Sequence, residues 1–202
     1  ISGIPQNGRY GEWTIYYLNG NINAKYQYIN GEANQNNLEW YANGQKKYDY
    51  SYIKGIKDGE WNAWHKNGQK KHHYFYDRGK KVKTWIVWWG NGNKKMEGKY
   101  MNDLKEGLYI FWYKNGYKKS DEYYVDGIQN GRFTLWHENG LKDLEITFKN
   151  GKQHGLLIEW HENGQKKTER NYKNGKENGL ATEWNEDGVI ISEKNFVNGS
   201  EQ

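Results

Sequence analysis

One stretch and its period constrain this chain more than any other feature. Trp64–His65–Lys66–Asn67–Gly68–Gln69–Lys70–Lys71 returns almost unchanged as Trp160–His161–Glu162–Asn163–Gly164–Gln165–Lys166–Lys167. An Asn-Gly pair between an aromatic run and a polar run is the strongest short-range signal for a β-hairpin. A two-residue type I′ turn needs φ > 0 at both central residues, which Asn tolerates and Gly adopts freely. The spacing therefore predicts a two-residue turn at Asn67-Gly68. The same glycine recurs at Gly20, Gly44, Gly68, Gly92, Gly116, Gly140, Gly164 and Gly188, in steps of 24 residues with no insertion or deletion.

Two further glycine columns keep that period: Gly31, Gly55, Gly79, Gly127, Gly151, Gly175 and Gly199, broken by Asp103, and Gly11, Gly59, Gly107, Gly131, Gly155 and Gly179, broken by Gln35 and Lys83. Together the three columns hold 21 of the 25 glycines, so glycine is punctuation here rather than linker. The reading is all-β: an elongated single sheet of eight antiparallel hairpins, residues 11–202, preceded by a partial copy or cap at 1–10. Each copy contributes two strands, giving sixteen. A longer loop of four or five residues, such as Asn174–Asn178, leads to the next copy. A hairpin isolated in water is marginal, so the copies stabilise one another as one solenoid-like domain.

Composition matters because it points the other way. Only 35% of residues are hydrophobic, which alone would favour disorder. Aromatics reach 17%, with 11 Trp and 18 Tyr against a single Pro, and that balance suits strands. Alternation sorts them onto two faces. One carries the column Tyr28, Tyr52, Tyr76, Tyr100, Tyr124, Phe148, Tyr172 and Phe196 with Trp61, Trp85, Tyr109 and Phe133. The other carries Trp40, Trp64, Trp88, Trp112, Trp136, Trp160 and Trp184. The two-residue turn places Trp64 opposite Lys71, and likewise sets Lys95, Lys119 and Lys167 opposite their tryptophans. An aromatic ring beside an ammonium group stacks planar ligands or anchors a protein interface. These Trp and Lys residues, with Trp89, form the candidate interaction surface. Positions that differ between copies, such as His65, Trp89, Tyr113, His137 and His161, are candidates for specificity.

The copy pattern, seen best in 59–82, 155–178 and 179–202, resembles the MORN repeat in its bacterial variant form. The resemblance spans 11–202. It implies a non-catalytic scaffold that binds a protein partner, in an antitoxin-like or cell-envelope role. Arrays of this kind are also labelled phosphatidylinositol-phosphate kinases, but no phosphate-binding loop, His-Arg-Asp or Asp-Phe-Gly motif is present to support that label.

The residues themselves agree on the absence of chemistry. Carboxylates recur one per copy as a ladder rather than as a pair in a cleft. Equivalent histidines stand about 9.6 Å apart, too far to share an ion, so no metal or other cofactor is expected. There is no cysteine to form disulfides or thiolate sites. The net charge of +5 is modest and interspersed with acids, so no nucleic acid is expected. The alternative to a protein partner is a surface glycan or anionic lipid. The chain opens on Ile1, which leaves room for a removed secretion signal and favours export or the cell envelope slightly over the cytoplasm.

Overall fold

The computed structural model describes residues 8–202. It holds eighteen strands, from Gly11–Tyr16 to Ser200–Glu201, and no α-helix among the described residues. The count exceeds sixteen for two reasons. The second copy opens with a strand interrupted at Asn34, giving Glu32–Ala33 and Gln35–Trp40, and a two-residue strand follows the eighth copy. Residues 1–7 of the expected N-terminal partial copy lie outside the described residues. Of its remainder, the Arg9 carbonyl accepts the Gly31 N–H at 2.8 Å, as Ala33 accepts Gly55 one copy further on and Lys57 accepts Gly79 two copies on.

The chain divides into two compact units, one ending at Leu104 and one spanning Lys105–Gln202. Within the first, successive strands pair antiparallel into an open sheet. The second repeats that arrangement.

The two turns of each copy are the reverse of the sequence expectation. At Asn67-Gly68 the Gly68 N–H bonds the His65 carbonyl at 2.9 Å, and the His65 N–H bonds the Gln69 carbonyl at 2.8 Å. Gly68 has φ +84° while Asn67 keeps negative φ. This is a type I turn closed by a left-handed glycine, the three-residue hairpin loop with a G1 bulge. The tight type I′ turn lies instead at the junction between copies. Arg78 (φ +46°) and Gly79 (φ +84°) join Asp77 to Lys80, which pair directly. Asn174-Gly175 and Asn150-Gly151 do the same, so the expected four- or five-residue loop is absent.

The bulge also corrects the register. Gly59 pairs Tyr76 and Ala63 pairs His72, as the period requires, but Trp64 then pairs Lys70 rather than Lys71. The opening glycine column marks a second irregularity, each member holding positive φ. Gln35 and Lys83, which replace glycine there, adopt φ +59° regardless, and Asp103 takes φ +71°. The fold imposes its geometry even where the residue resists it.

Among the described residues no side chains gather into one central core. Buried apolar side chains are spread thinly along the strands: Ala24, Ala63 and Trp85 in the first unit, Tyr109, Ile146, Leu157 and Ala181 in the second, with Thr134 and Thr182 buried on the opposite face. Each is enclosed by its neighbouring rungs, which is how a repeat array distributes its stability.

Candidate functional site

The tryptophans expected to form an interaction surface end their strands at Trp40, Trp64, Trp88, Trp112, Trp136, Trp160 and Trp184, all half-buried. The lysines over them are not the expected ones. Because the bulge sets Lys70 rather than Lys71 opposite Trp64, Lys71 does not cover that ring. The ammonium over Trp64 belongs to Lys46 of the preceding copy, 5.3 Å from the ring centroid. Lys118 covers Trp136 at 5.2 Å, Lys142 covers Trp160 at 5.3 Å, and Lys166 covers Trp184 at 5.7 Å. Each of these lysines also meets a carboxylate three residues on: Lys46–Asp49 at 2.9 Å, Lys118–Asp121 at 3.5 Å, Lys142–Glu145 at 2.7 Å and Lys166–Glu169 at 2.5 Å. The result is a ladder of ring, ammonium and carboxylate that ties copy to copy. Such contacts add roughly 0.5–1 kcal/mol each when partly exposed.

The lysines expected opposite the rings sit one position further along the strand. Lys95 lies 4.3 Å from Trp89 and Lys119 lies 5.5 Å from Tyr113, while Lys71 and Lys167 are exposed.

The column after the tryptophans, read from sequence as a source of specificity, is engaged in clamping. Tyr17 and Tyr41 donate their hydroxyls to the backbone carbonyls of Trp40 and Trp64, one copy ahead, at 2.7 and 2.9 Å. Tyr113 does so to Trp136 at 2.8 Å. His65, His137 and His161 place Nε2 at 3.0–3.2 Å from the carbonyls of Trp88, Trp160 and Trp184. A carbonyl only accepts, so these imidazoles carry a proton on Nε2. Tyr and His occupy one column because both present a donor at the far edge of a ring.

A second clamp runs beside it through the turn asparagines. Asn67 donates to the Gly90 carbonyl at 2.7 Å, Asn115 to Glu138 at 2.9 Å, and Asn163 to Glu186 at 2.9 Å. The Asn67 and Asn163 side-chain oxygens accept the N–H groups of Gln69 and Gln165, which fixes their orientation.

The opposite face of the first unit holds a concavity of about 370 Å³, lined by Tyr48, Tyr50, Tyr52, Trp61, His72 and Tyr74 among others. Its rings are layered. Trp61 stacks on Tyr50 with centroids 4.9 Å apart, Tyr74 on Trp85 at 4.0 Å, and His72 on Tyr74 at 4.3 Å. Glu39 anchors the trough, with Oε1 accepting the hydroxyls of Tyr50 at 2.7 Å and Tyr26 at 3.1 Å. Burial first, and Glu39 second, push the Tyr26 phenol up to about 12 and raise that of Tyr50. Both remain proton donors at physiological pH. Sequence alternation places these rings on one face, but their contribution to a concavity depends on how neighbouring rungs stack them. Among the described residues, no three His, Asp or Glu side chains are grouped to hold a metal ion.

Three segments, 9–30, 153–174 and 177–198, match the model of the MORN repeat variant. Their starts are whole multiples of the 24-residue period apart, and each begins two residues before an opening glycine. Comparison with curated proteins found no match. The matched family is one of generally non-catalytic repeats, consistent with a repeat scaffold for binding.

Proposed function

We propose that this chain is a non-catalytic repeat scaffold that binds a protein partner, in a bacterial antitoxin-like or cell-envelope role. The ladder of half-buried tryptophans supports this reading most directly. At Trp64, Trp136, Trp160 and Trp184 the ring lies under a lysine–carboxylate pair, the backbone carbonyls of Trp64, Trp160 and Trp184 are clamped, and each ring retains part of its surface in solvent. Aromatic anchors held in place before binding lose little conformational entropy on association and dominate interface energies. Affinity capture from the native cell tests the proposal. A specific protein should be retained, and retention should fall at least tenfold when Trp64 and Trp88 are both changed to Ala in a variant that keeps its fold. Recovery of nothing above background would defeat it.

A second reading, binding of a surface glycan or anionic lipid, draws on the exposed lysines Lys71, Lys95, Lys119 and Lys167 beside the ring ladder. Saturable binding to glycan arrays or to phosphatidylserine vesicles, with no protein captured, would put it ahead.

A further inference from the structure

The tyrosine face of the first unit departs from its own rule at one rung. In the regular rungs a cation precedes an aromatic ring by four residues and lies over it. Arg9 is 5.9 Å from the Trp13 centroid, Lys57 4.4 Å from Trp61, and Lys81 5.1 Å from Trp85. Trp61 and Trp85 in turn stack on Tyr50 and Tyr74 of the neighbouring strand. In the second copy those two positions hold Ala33 and Asn37 instead.

Asn37 does not replace the missing ring. It is 1% exposed, with Oδ1 accepting the Gln27 N–H at 3.0 Å and Nδ2 donating to the Gln35 carbonyl at 3.3 Å. Where a ring and a cation stand elsewhere, a slot of about 400 Å³ opens between Tyr26 and Tyr28 on one side and Tyr50 and Tyr52 on the other, with Arg9 at its rim. Tyr26 is left uncovered. Its counterparts carry an indole on their faces, whereas its one ring contact among the described residues is edge-on to Tyr28 at 6.3 Å. Its hydroxyl is held by Glu39, so the bare ring is already oriented.

We propose that this slot receives an aromatic side chain, foremost the indole of a tryptophan, inserted by a protein partner. This rests on the protein-partner reading and names the anchor that such a partner presents. The neighbouring rungs show what fills the position, since a Trp occupies it in both Trp61 and Trp85. The Arg9 guanidinium at the rim, 5.3 Å from the Tyr28 ring and bonded to its hydroxyl at 3.2 Å, disfavours a cationic head. A sugar would need several hydrogen-bonding partners, whereas the Asn37 amide and Glu39 Oε1 are already engaged and the buried Arg9 Nε–H is left as an unpartnered donor.

The full chain is titrated with N-acetyl-L-tryptophanamide by NMR, alongside N-acetyl-L-leucinamide, methyl glucoside and tetramethylammonium. Saturable shifts are expected for the indole alone, centred on the Tyr26 and Tyr50 resonances. The double variant Ala33→Lys/Asn37→Trp, which fills the slot with the chain's own rung residues, should weaken that binding at least tenfold. Tyr26→Leu, which removes the platform, should do the same should the double variant not fold. The inference is overturned by absence of saturable indole binding, by binding unchanged in a folded variant, or by preference for the leucine, sugar or ammonium probe. A captured partner that the slot-filled chain retains undiminished would refute the slot while leaving the partner reading intact. Capture of nothing would defeat that reading, while the titration still decides whether the slot takes an indole.

Discussion

Acid should weaken this protein through two adjacent histidines, His72 and His73, whose pKa values burial lowers, and most through His72. His72 lies in the aromatic trough, stacked on Tyr74 with centroids 4.3 Å apart and planes within 6°, and tilted against Tyr48 at 6.4 Å. Its Nδ1 is buried with no hydrogen-bond partner among the described residues. Burial lowers its pKa from 6.5 to about 4. Lys71, His65 and His73 nearby add to the shift, and the Trp61 backbone opposes it. Between those two values the unfolded chain binds the proton and the folded chain does not, so stability falls as pH falls through that window. The shift corresponds in full to about 3 kcal/mol, of which about 2 kcal/mol is lost by pH 5. Urea unfolding at pH 7.5 and 5.0 measures the loss. In His72→Phe, which keeps the stacked ring and removes the titration, the drop between the two pH values should shrink by about 2 kcal/mol. Equal pH dependence in the two proteins would refute the reasoning, as would an imidazole signal from His72 that titrates near 6.5.

Three further outcomes follow from the clamps and turns. Tyr41→Phe deletes the hydroxyl bonded to the Trp64 carbonyl and should cost about 1 kcal/mol in chemical denaturation, while Tyr123→Phe, at an exposed position, should change stability by less than about 0.5 kcal/mol. Asn163→Ala removes both the bond to Gln165 N–H and the bond to the Glu186 carbonyl; a loss of about 1–2 kcal/mol is expected, with faster amide exchange at the Asn163 turn and in residues 184–188. Gln35→Gly relieves a left-handed φ of +59° and should stabilise the chain by about 1 kcal/mol, read as a raised urea midpoint with unchanged slope.

The period was fully legible, because each glycine column marks a backbone position with φ > 0 and such positions leave few alternatives to glycine. The turn types were not. An Asn-Gly pair satisfies a type I′ turn and also the end of a type I turn with a G1 bulge, so Asn67-Gly68 alone does not separate them. The better type I′ signal lay in the junction column, where Asn30, Asn102, Asn150, Asn174 and Asn198 take φ of 50–54°. That one-residue difference moved the lysine phase only at the turn, setting Lys70 rather than Lys71 opposite Trp64 while Ala63–His72 and the pairs beyond keep the expected register. Hence Lys46 and Lys142, rather than Lys71 and Lys167, meet the tryptophan rings. The clamping role of His65, Tyr113, His137 and His161 had a readable cue in their shared ring-edge donor. Its target, a carbonyl one copy away, depended on how adjacent hairpins stack. The open slot at Ala33 and Asn37 was visible as two departures from the copy pattern, but only the bare face of Tyr26 gives those departures a meaning.

The residues that fill the tyrosine face also diminish in order within the second unit: Tyr109, Phe133, Leu157, then Ala181. A strictly periodic surface would offer any ligand a set of isoenergetic registers one copy apart, and a bound molecule could slip among them. Grading the side-chain volume lifts that degeneracy, so that one register lies lowest in free energy although the backbone beneath every register is the same.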